Sequence, residues 1–291
     1  MLIEQIKNGI ILGSVYGLIA IGYTMVYGIL KMINFAHSEI FMLGAFLSFI
    51  IFPVFGNSIA LTVAATALVV GLISAGIEKA VYKPLRGKEK LSVLISAIGV
   101  SIFLLNLVYI FQSASVKYPP FDVKFITFSF AGITLTSLEV IMFTFNIVVT
   151  LLLTSVINKT RLGIAIRAVS EDIKTAELLG VSSDRIISFV FFIGGSIAAI
   201  GGVFYGMYYG AIKFQMGFFP GIKAFTAAVL GGIGNIYGAL LGGLILGLLE
   251  VLAGGILFPN EWKDIFSFII LILVLLFKPR GLLGEKITDK V

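Results

Sequence analysis

Long apolar runs, separated by short polar connections, organise the whole chain. A bilayer core of ~30 Å takes about 20 apolar residues as helix. On that measure residues 8–30 predict one span, and 40–77 predict two, broken at Pro53 and by Gly56, Asn57 and Ser58. Residues 91–113, 135–157 and 186–206 each predict one more, and 236–258 and 265–277 the last two. Two stretches do not fit. "KMINFAHSE" (31–39) sets Lys31, Asn34, His37, Ser38 and Glu39 among oily residues, and "GIKAFTAAVLGGIGN" (221–235) is too short to cross comfortably alone. Irregular backbone at membrane depth survives only where protein or a water-filled cavity satisfies it. One such piece in each half points to broken helices beside a transport pathway. Its candidate polar residues are Asn34, His37, Ser38 and Glu39, with Gly231, Gly232, Gly234 and Asn235 in the other half. The predicted fold is an all-α polytopic membrane protein with about 8 transmembrane helices plus short broken or re-entrant helices. Two inverted halves within one transmembrane domain (1–291) are the matching expectation.

Composition strengthens this picture. The chain has 291 residues, 59% hydrophobic and only 12% charged, with a mean hydropathy of +1.10. A soluble domain that apolar could not cover its own surface. No cysteine and a single histidine exclude thiolate and multi-histidine metal centres, so no metal site is expected; no catalytic residue is expected either. The net charge of +6 is carried by connecting segments. That is a topology signal and gives no support to nucleic-acid binding. Segments 78–90, 158–185 and the tail, with Lys278, Arg280, Lys286 and Lys290, are rich in Lys and Arg and therefore cytoplasmic. The connection 114–134 is then outside, and the protein is a multi-pass protein of the plasma (inner) membrane. The pattern allows eight or nine crossings and leaves their parity open. The start of the chain, with Glu4 and Lys7, lacks the pattern of a cleaved signal and reads as the first span.

Small residues recur at four-residue spacing: Gly9, Gly13 and Gly17; Ala198, Gly202 and Gly206; Gly238 and Gly242; Gly243 and Gly247. That spacing predicts close helix packing. Phe204, Tyr205, Tyr208 and Tyr209 read as an interfacial aromatic belt. Two readings stand for His37 and Glu39. They contact a passing substrate, with Asn106 and Asn235 as further contributors, or they hold broken helix ends, His37 and Asn34 as caps and Glu39 on freed N–H groups.

Residues 161–186, "RLGIAIRAVSEDIKTAELLGVSSDRI", are the most informative polar stretch. Ile166, Val169, Ile173 and Ala176 recur at steps of three and four, giving one apolar face of a helix. Arg167, Glu171 and Lys174 share a polar face, and Gly180 suits the helix end. Ser183 and Asp184 offer caps for the next span. Such a helix lies on the membrane surface or docks a partner.

Together these stretches resemble a family: the LivH-type permease subunits of branched-chain amino acid ABC importers. The resemblance rests on "GSVYGLIAIGYTMVYGILKMINFAHSEIFMLGAF", "YKPLRG", "ISAIGVSIFLLN", "EDIKTAELLG", "KAFTAAVLGGIGNIYGALLGGLILGLLE" and "KPRGLLG", in order from residue 13 to 284. The family usually has glycine after its "NFAH", where Ser38 stands here. The resemblance implies an importer of leucine, isoleucine or valine with separated tasks. This chain pairs with a second permease subunit, usually a paralogue. Two cytoplasmic ATPase subunits use the ATP, and an extracytoplasmic substrate-binding protein delivers the small-molecule substrate. The implied ATPase-coupling loop (about 158–185) contains Arg167, Glu171, Asp172, Ala176, Leu179 and Gly180. No cofactor is expected on this chain. Its one Gly-Lys pair, Gly87–Lys88, is followed by Glu89, which breaks the phosphate-loop pattern. Membrane lipids are the remaining expected contact. The competing readings are a permease for urea, short amides or other neutral amino acids, and a passive channel. An intramembrane hydrolase lacks the H-E-x-x-H spacing.

Overall fold

In the computed structural model, residues 2–55, 58–118, 121, 125–130, 133–254 and 262–284 are described. The apolar runs become helices almost where the pattern puts them. These are α1 (Leu2–Leu30), α2 (His37–Val54), α3 (Ile59–Ile77), α4 (Lys90–Gln112), α5 (Ser137–Lys159) and α8 (Ser183–Tyr209). All six are long and apolar enough to cross a membrane. Two short helices, α6 (Arg161–Glu171) and α7 (Ile173–Leu178), lie between α5 and α8, and α9 (Phe218–Gly231), α10 (Ile236–Leu252) and α11 (Lys263–Phe277) close the chain. A hairpin, β1 (Thr127–Phe130) with β2 (Ile133–Thr136), links α4 to α5. Thr136 starts α5 with a capping box: its hydroxyl accepts from the Glu139 N–H while the Glu139 carboxylate accepts from the Thr136 N–H.

Pro53 does not break the pair of spans as expected. It lies in the last turn of α2, and the chain turns only after it. Gly56 and Asn57, residues 255–258 of the expected seventh span, and Lys286 and Lys290 lie outside the described residues.

Helix α1 is almost wholly buried, whereas α4 and α5 show most of their surface outward. α1 is therefore the central post. It lies along α10 through the predicted glycines: a methyl on Gly13 would come within 2.7 Å of the Gly243 carbonyl oxygen and the Leu244 Cα. Such backbone proximity is what small residues permit between membrane helices.

The packing repeats itself. α1 lies on α10 as α8 lies on α3; α9 lies on α1 as α2 lies on α8; α9 meets α10 and α11 as α2 meets α3 and α4. The segment α1–α4 thus corresponds to α8–α11, with α5, α6 and α7 between.

Side-chain contacts set the parity that the pattern left open. Glu4 accepts from the Thr134 N–H (3.1 Å) and Lys7 donates to the Thr134 carbonyl (2.9 Å). The start of α1 therefore lies with the β hairpin, on the side opposite the Lys/Arg-rich segments. The tail lies at the other face, where the Leu282 and Leu283 N–H groups donate to Leu230 and Gly231 at the end of α9. Nine passes among the described helices follow, with α9 and residues 210–217 together making one. α1 and α8 run in opposite directions, so the two corresponding segments are inverted.

Candidate functional site

α1 stops at Lys31, whose φ of 52° is left-handed. Residues 31–36 then turn back into the protein, and α2 begins at His37. Asn34 holds this turn: its Oδ1 accepts from the Ala36 N–H (3.1 Å) and from the Tyr82 hydroxyl (2.6 Å). His37 and Glu39 are therefore not in the break; they form the first turn of α2, both 1% exposed. The His37 ring tilts against Tyr23 at 4.7 Å, and neither of its nitrogens has a hydrogen-bond partner among the described residues. It caps nothing. The Ser38 hydroxyl donates to the Phe35 carbonyl (2.9 Å), which tightens the turn. Glu39 does not take freed backbone N–H groups of its own helix either. One oxygen has a long contact with the Ser101 hydroxyl (3.4 Å), and the other has no partner.

The matching break in the second half is 210–217, after α8, and not 221–235. Residues 218–231 are regular helix, α9. The N-terminal ends of α2 and α9 meet inside the protein. Gly221 faces the Ser38 side chain, and a methyl on Gly217 would stand 2.7 Å from the unpartnered Glu39 oxygen. A side chain at either position would separate the two helix ends.

A cavity lies at each end of this crossing. The inner one, about 10 Å³ and so no larger than a water site, is lined by Tyr23, Tyr27, Ile33, Asn34, Phe225, Ala228 and Ile233. The outer one, about 300 Å³, is lined by Val116, Tyr205, Tyr209, Ala211, Ile212, Lys213 and Met216. Tyr205 and Tyr209, expected in a belt, form its aromatic wall with ring centroids 4.4 Å apart.

Gly231, Gly232, Gly234 and Asn235 do not join Asn34, His37, Ser38 and Glu39. They make the cytoplasmic turn between α9 and α10. Gly232 and Gly234 take left-handed φ values of 109° and 101°. Asn235 caps α10, accepting from the Gly238 N–H and donating to the Leu283 carbonyl. Asn106 is no second contributor: its amide bonds its own helix at the Ile102 carbonyl, on an exposed face.

The sequence reading missed a buried charge cluster. Lys223 of α9 is 6% exposed, and its ammonium lies 2.7 Å from both Glu250 and Asp264. Glu250 also accepts from the Tyr16 hydroxyl at 3.0 Å. A lysine alone in an apolar run was the available signal. A second cluster ties α3 to α8: Glu78 pairs with Arg86 and accepts from Ser188 (2.5 Å), while Asp184 pairs with Arg86 and Lys83 at 2.6 Å. Asp184 is thus an ion-pair partner and not a cap, and the Ser183 hydroxyl donates to Glu177.

The 158–185 segment is two helices where one was expected. Asp172 has extended backbone and caps α7, accepting from the Thr175 N–H at 2.7 Å. That bond holds its carboxyl below the usual carboxylate range. Ile166, Val169 and Ala176 are buried as the spacing predicts, while Leu178 and Leu179 are 88% and 77% exposed. Arg167 donates to the Ile157 carbonyl, fastening α6 to the end of α5. Gly180 ends the segment with a left-handed φ of 85°.

The family described as branched-chain amino acid transport system / permease component matches residues 5–275. The permease protein BraD of a high-affinity branched-chain amino acid transport system from Pseudomonas aeruginosa is 45% identical, over 99% of this chain and 98% of its own. The LivH permease protein of the corresponding Escherichia coli K12 system is 44% identical over 99% and 97%. A probable LivH from Methanocaldococcus jannaschii is 28% identical over 96% and 91%.

Proposed function

The chain belongs to the branched-chain amino acid transport system permease family, and on that premise we propose that it is the membrane permease subunit of an ABC importer. It moves leucine, isoleucine and valine into the cytoplasm. Separate ATPase subunits use the ATP, a second permease subunit, a paralogue, completes the membrane unit, and an extracytoplasmic binding protein delivers the substrate. The near-full-length identity to BraD and LivH carries the reading.

Residues 158–185 are the proposed coupling loop. The apolar side of α6 and α7 is turned into the protein, which leaves Leu178 and Leu179 facing the cytoplasm on an anchored support. Two large exposed apolar side chains beside a rigid turn suit a groove on a soluble partner. Arg167, Glu171 and Asp172 hold or flank that support, and Ala176 packs it down.

Reconstitution in vesicles with the ATPases, partner permease and binding protein tests the function. The expected result is ATP-dependent uptake of all three branched-chain amino acids. Uptake by this chain alone without ATP would make it a passive channel. Coupled uptake of urea or short amides, with none of leucine, would replace the substrate assignment.

A further inference from the structure

Glu39 is a buried carboxylate with one oxygen that nothing in the described protein satisfies. A buried polar atom without a partner asks for an explanation, and an ionisable group inside the membrane more so. Its surroundings supply one. The free oxygen faces Gly217, and Gly217 is next in the chain to Met216, which lines the outer cavity. Glu39 does not line that cavity; the Met216–Gly217 backbone stands between them. Around the same cavity stand Lys213, exposed, and an apolar wall of Tyr205, Tyr209 and Ile212.

These groups form a complementary set. A free carboxylate oxygen accepts from an ammonium, a lysine ammonium pairs with a carboxylate, and tyrosine faces with aliphatic carbon receive a short branched chain. An aliphatic α-amino acid zwitterion carries all three. The cavity, at about 300 Å³, has room for it. Glycine at 217 lets the start of α9 lie directly on the Glu39 carboxyl, with no side chain between them. Resting on the importer reading above, we propose that the outer cavity is the receiving site for the amino acid, with Glu39 taking the α-ammonium and Lys213 the carboxylate. Entry moves the start of α9 away from Glu39, so the ammonium replaces the helix end that now covers it. The bland alternative is that Glu39 only offers negative charge to the N-terminus of α9.

This chain has no cysteine, so labelling read on this chain alone reports a single introduced thiol. Ala211→Cys introduces one thiol on the cavity wall. In the assembled importer without ATP or binding protein, a membrane-impermeant thiol reagent added from outside labels it. L-leucine is expected to slow labelling at least tenfold, and 4-methylpentanoate, which lacks the ammonium, is not. With Glu39→Gln added, the leucine concentration needed for protection rises at least tenfold, and Glu39→Asp restores it in part. Labelling indifferent to L-leucine overturns the site. Undiminished protection in Glu39→Gln overturns the role of Glu39 and leaves the helix-end alternative. If Glu39→Gln fails to assemble, the comparison of the two ligands on Ala211→Cys decides: equal protection by both overturns the proposal. ATP-driven uptake by the unsubstituted importer separates the two claims. Its absence removes the importer reading; its presence without protection removes only the site.

Discussion

Lys223 brings a full positive charge into an apolar helix, and three side chains from three other helices answer it. Glu250 and Asp264 each stand 2.7 Å away, and the Tyr16 hydroxyl completes Glu250. Desolvating such a group is costly, and removing one partner strands the other. Lys223→Met is therefore expected to destabilise the protein by about 3–5 kcal/mol, the usual loss when a buried pair is broken. The double variant Lys223→Met/Glu250→Gln should recover a substantial part, because no net charge then remains at that pair. Thermal unfolding in detergent measures both. A single variant as stable as the parent, or a double variant no better than the single, would show that the cluster does not hold α9 in place. Lys223 was visible in the sequence as a lone charge in "GIKAFTAAV". Its partners were not, because Tyr16 and Glu250 are 234 residues apart and only the folded bundle joins them. Glu39 shows the reverse. Its presence in an oily stretch was legible, and so was the choice between substrate contact and helix support. Its neighbour Gly217 was not, since nothing in the pattern marks 210–217 as the second break.

At the scale of elements, spans and amphipathic faces were legible and helix ends were not. The spacing of Ile166, Val169, Ile173 and Ala176 predicted the packed face of the proposed coupling segment, with Ile173 half-buried and the other three buried. It could not show the division at Asp172, because an extended residue between two short helices leaves the apolar period almost intact. The division matters for Gly180. Helix α7 has only six residues, too short to be stable by itself, so its direction depends on the turn that follows. At a φ of 85° that turn tolerates glycine and strains a β-branched residue. Nothing lies within 4 Å of where a Cβ would stand, so the strain is purely backbone. Gly180→Val is expected to redirect Leu178 and Leu179, lowering ATP-coupled uptake at least tenfold while hydrolysis by the ATPases continues. Parallel uptake and hydrolysis assays on one reconstituted preparation read this out. Unchanged coupling would place the ATPase contact elsewhere.

For the whole molecule, the membrane class was legible in the sequence, the charge pattern assigned the Lys/Arg-rich segments to one side, and the fold shows how the chain threads between them. α9 has 14 residues, about 21 Å at the helical rise. That is short of a bilayer core, so counting spans could not decide whether the segment crosses. In the structure the irregular residues 210–217 complete the crossing, and Ile212 satisfies its backbone by exchanging two 2.8 Å bonds with Lys117. The inverted correspondence of α1–α4 with α8–α11 requires this same odd count, because α1 and α8 must run in opposite directions. The consequence is a fixed map of sides: the start of α1 and the β hairpin outside, the segments 78–90 and 158–185 and the tail inside. Single cysteines in the cysteine-free chain check it. Ser129→Cys in the hairpin should react with an impermeant maleimide in intact cells, whereas Lys88→Cys and Lys174→Cys should react only after the membrane is opened. If Lys88→Cys reacts in intact cells, the positive-inside assignment fails and every helix direction reverses. If Ser129→Cys and Lys88→Cys react from the same side, α4 does not cross, and the inverted relation of the two halves falls with it.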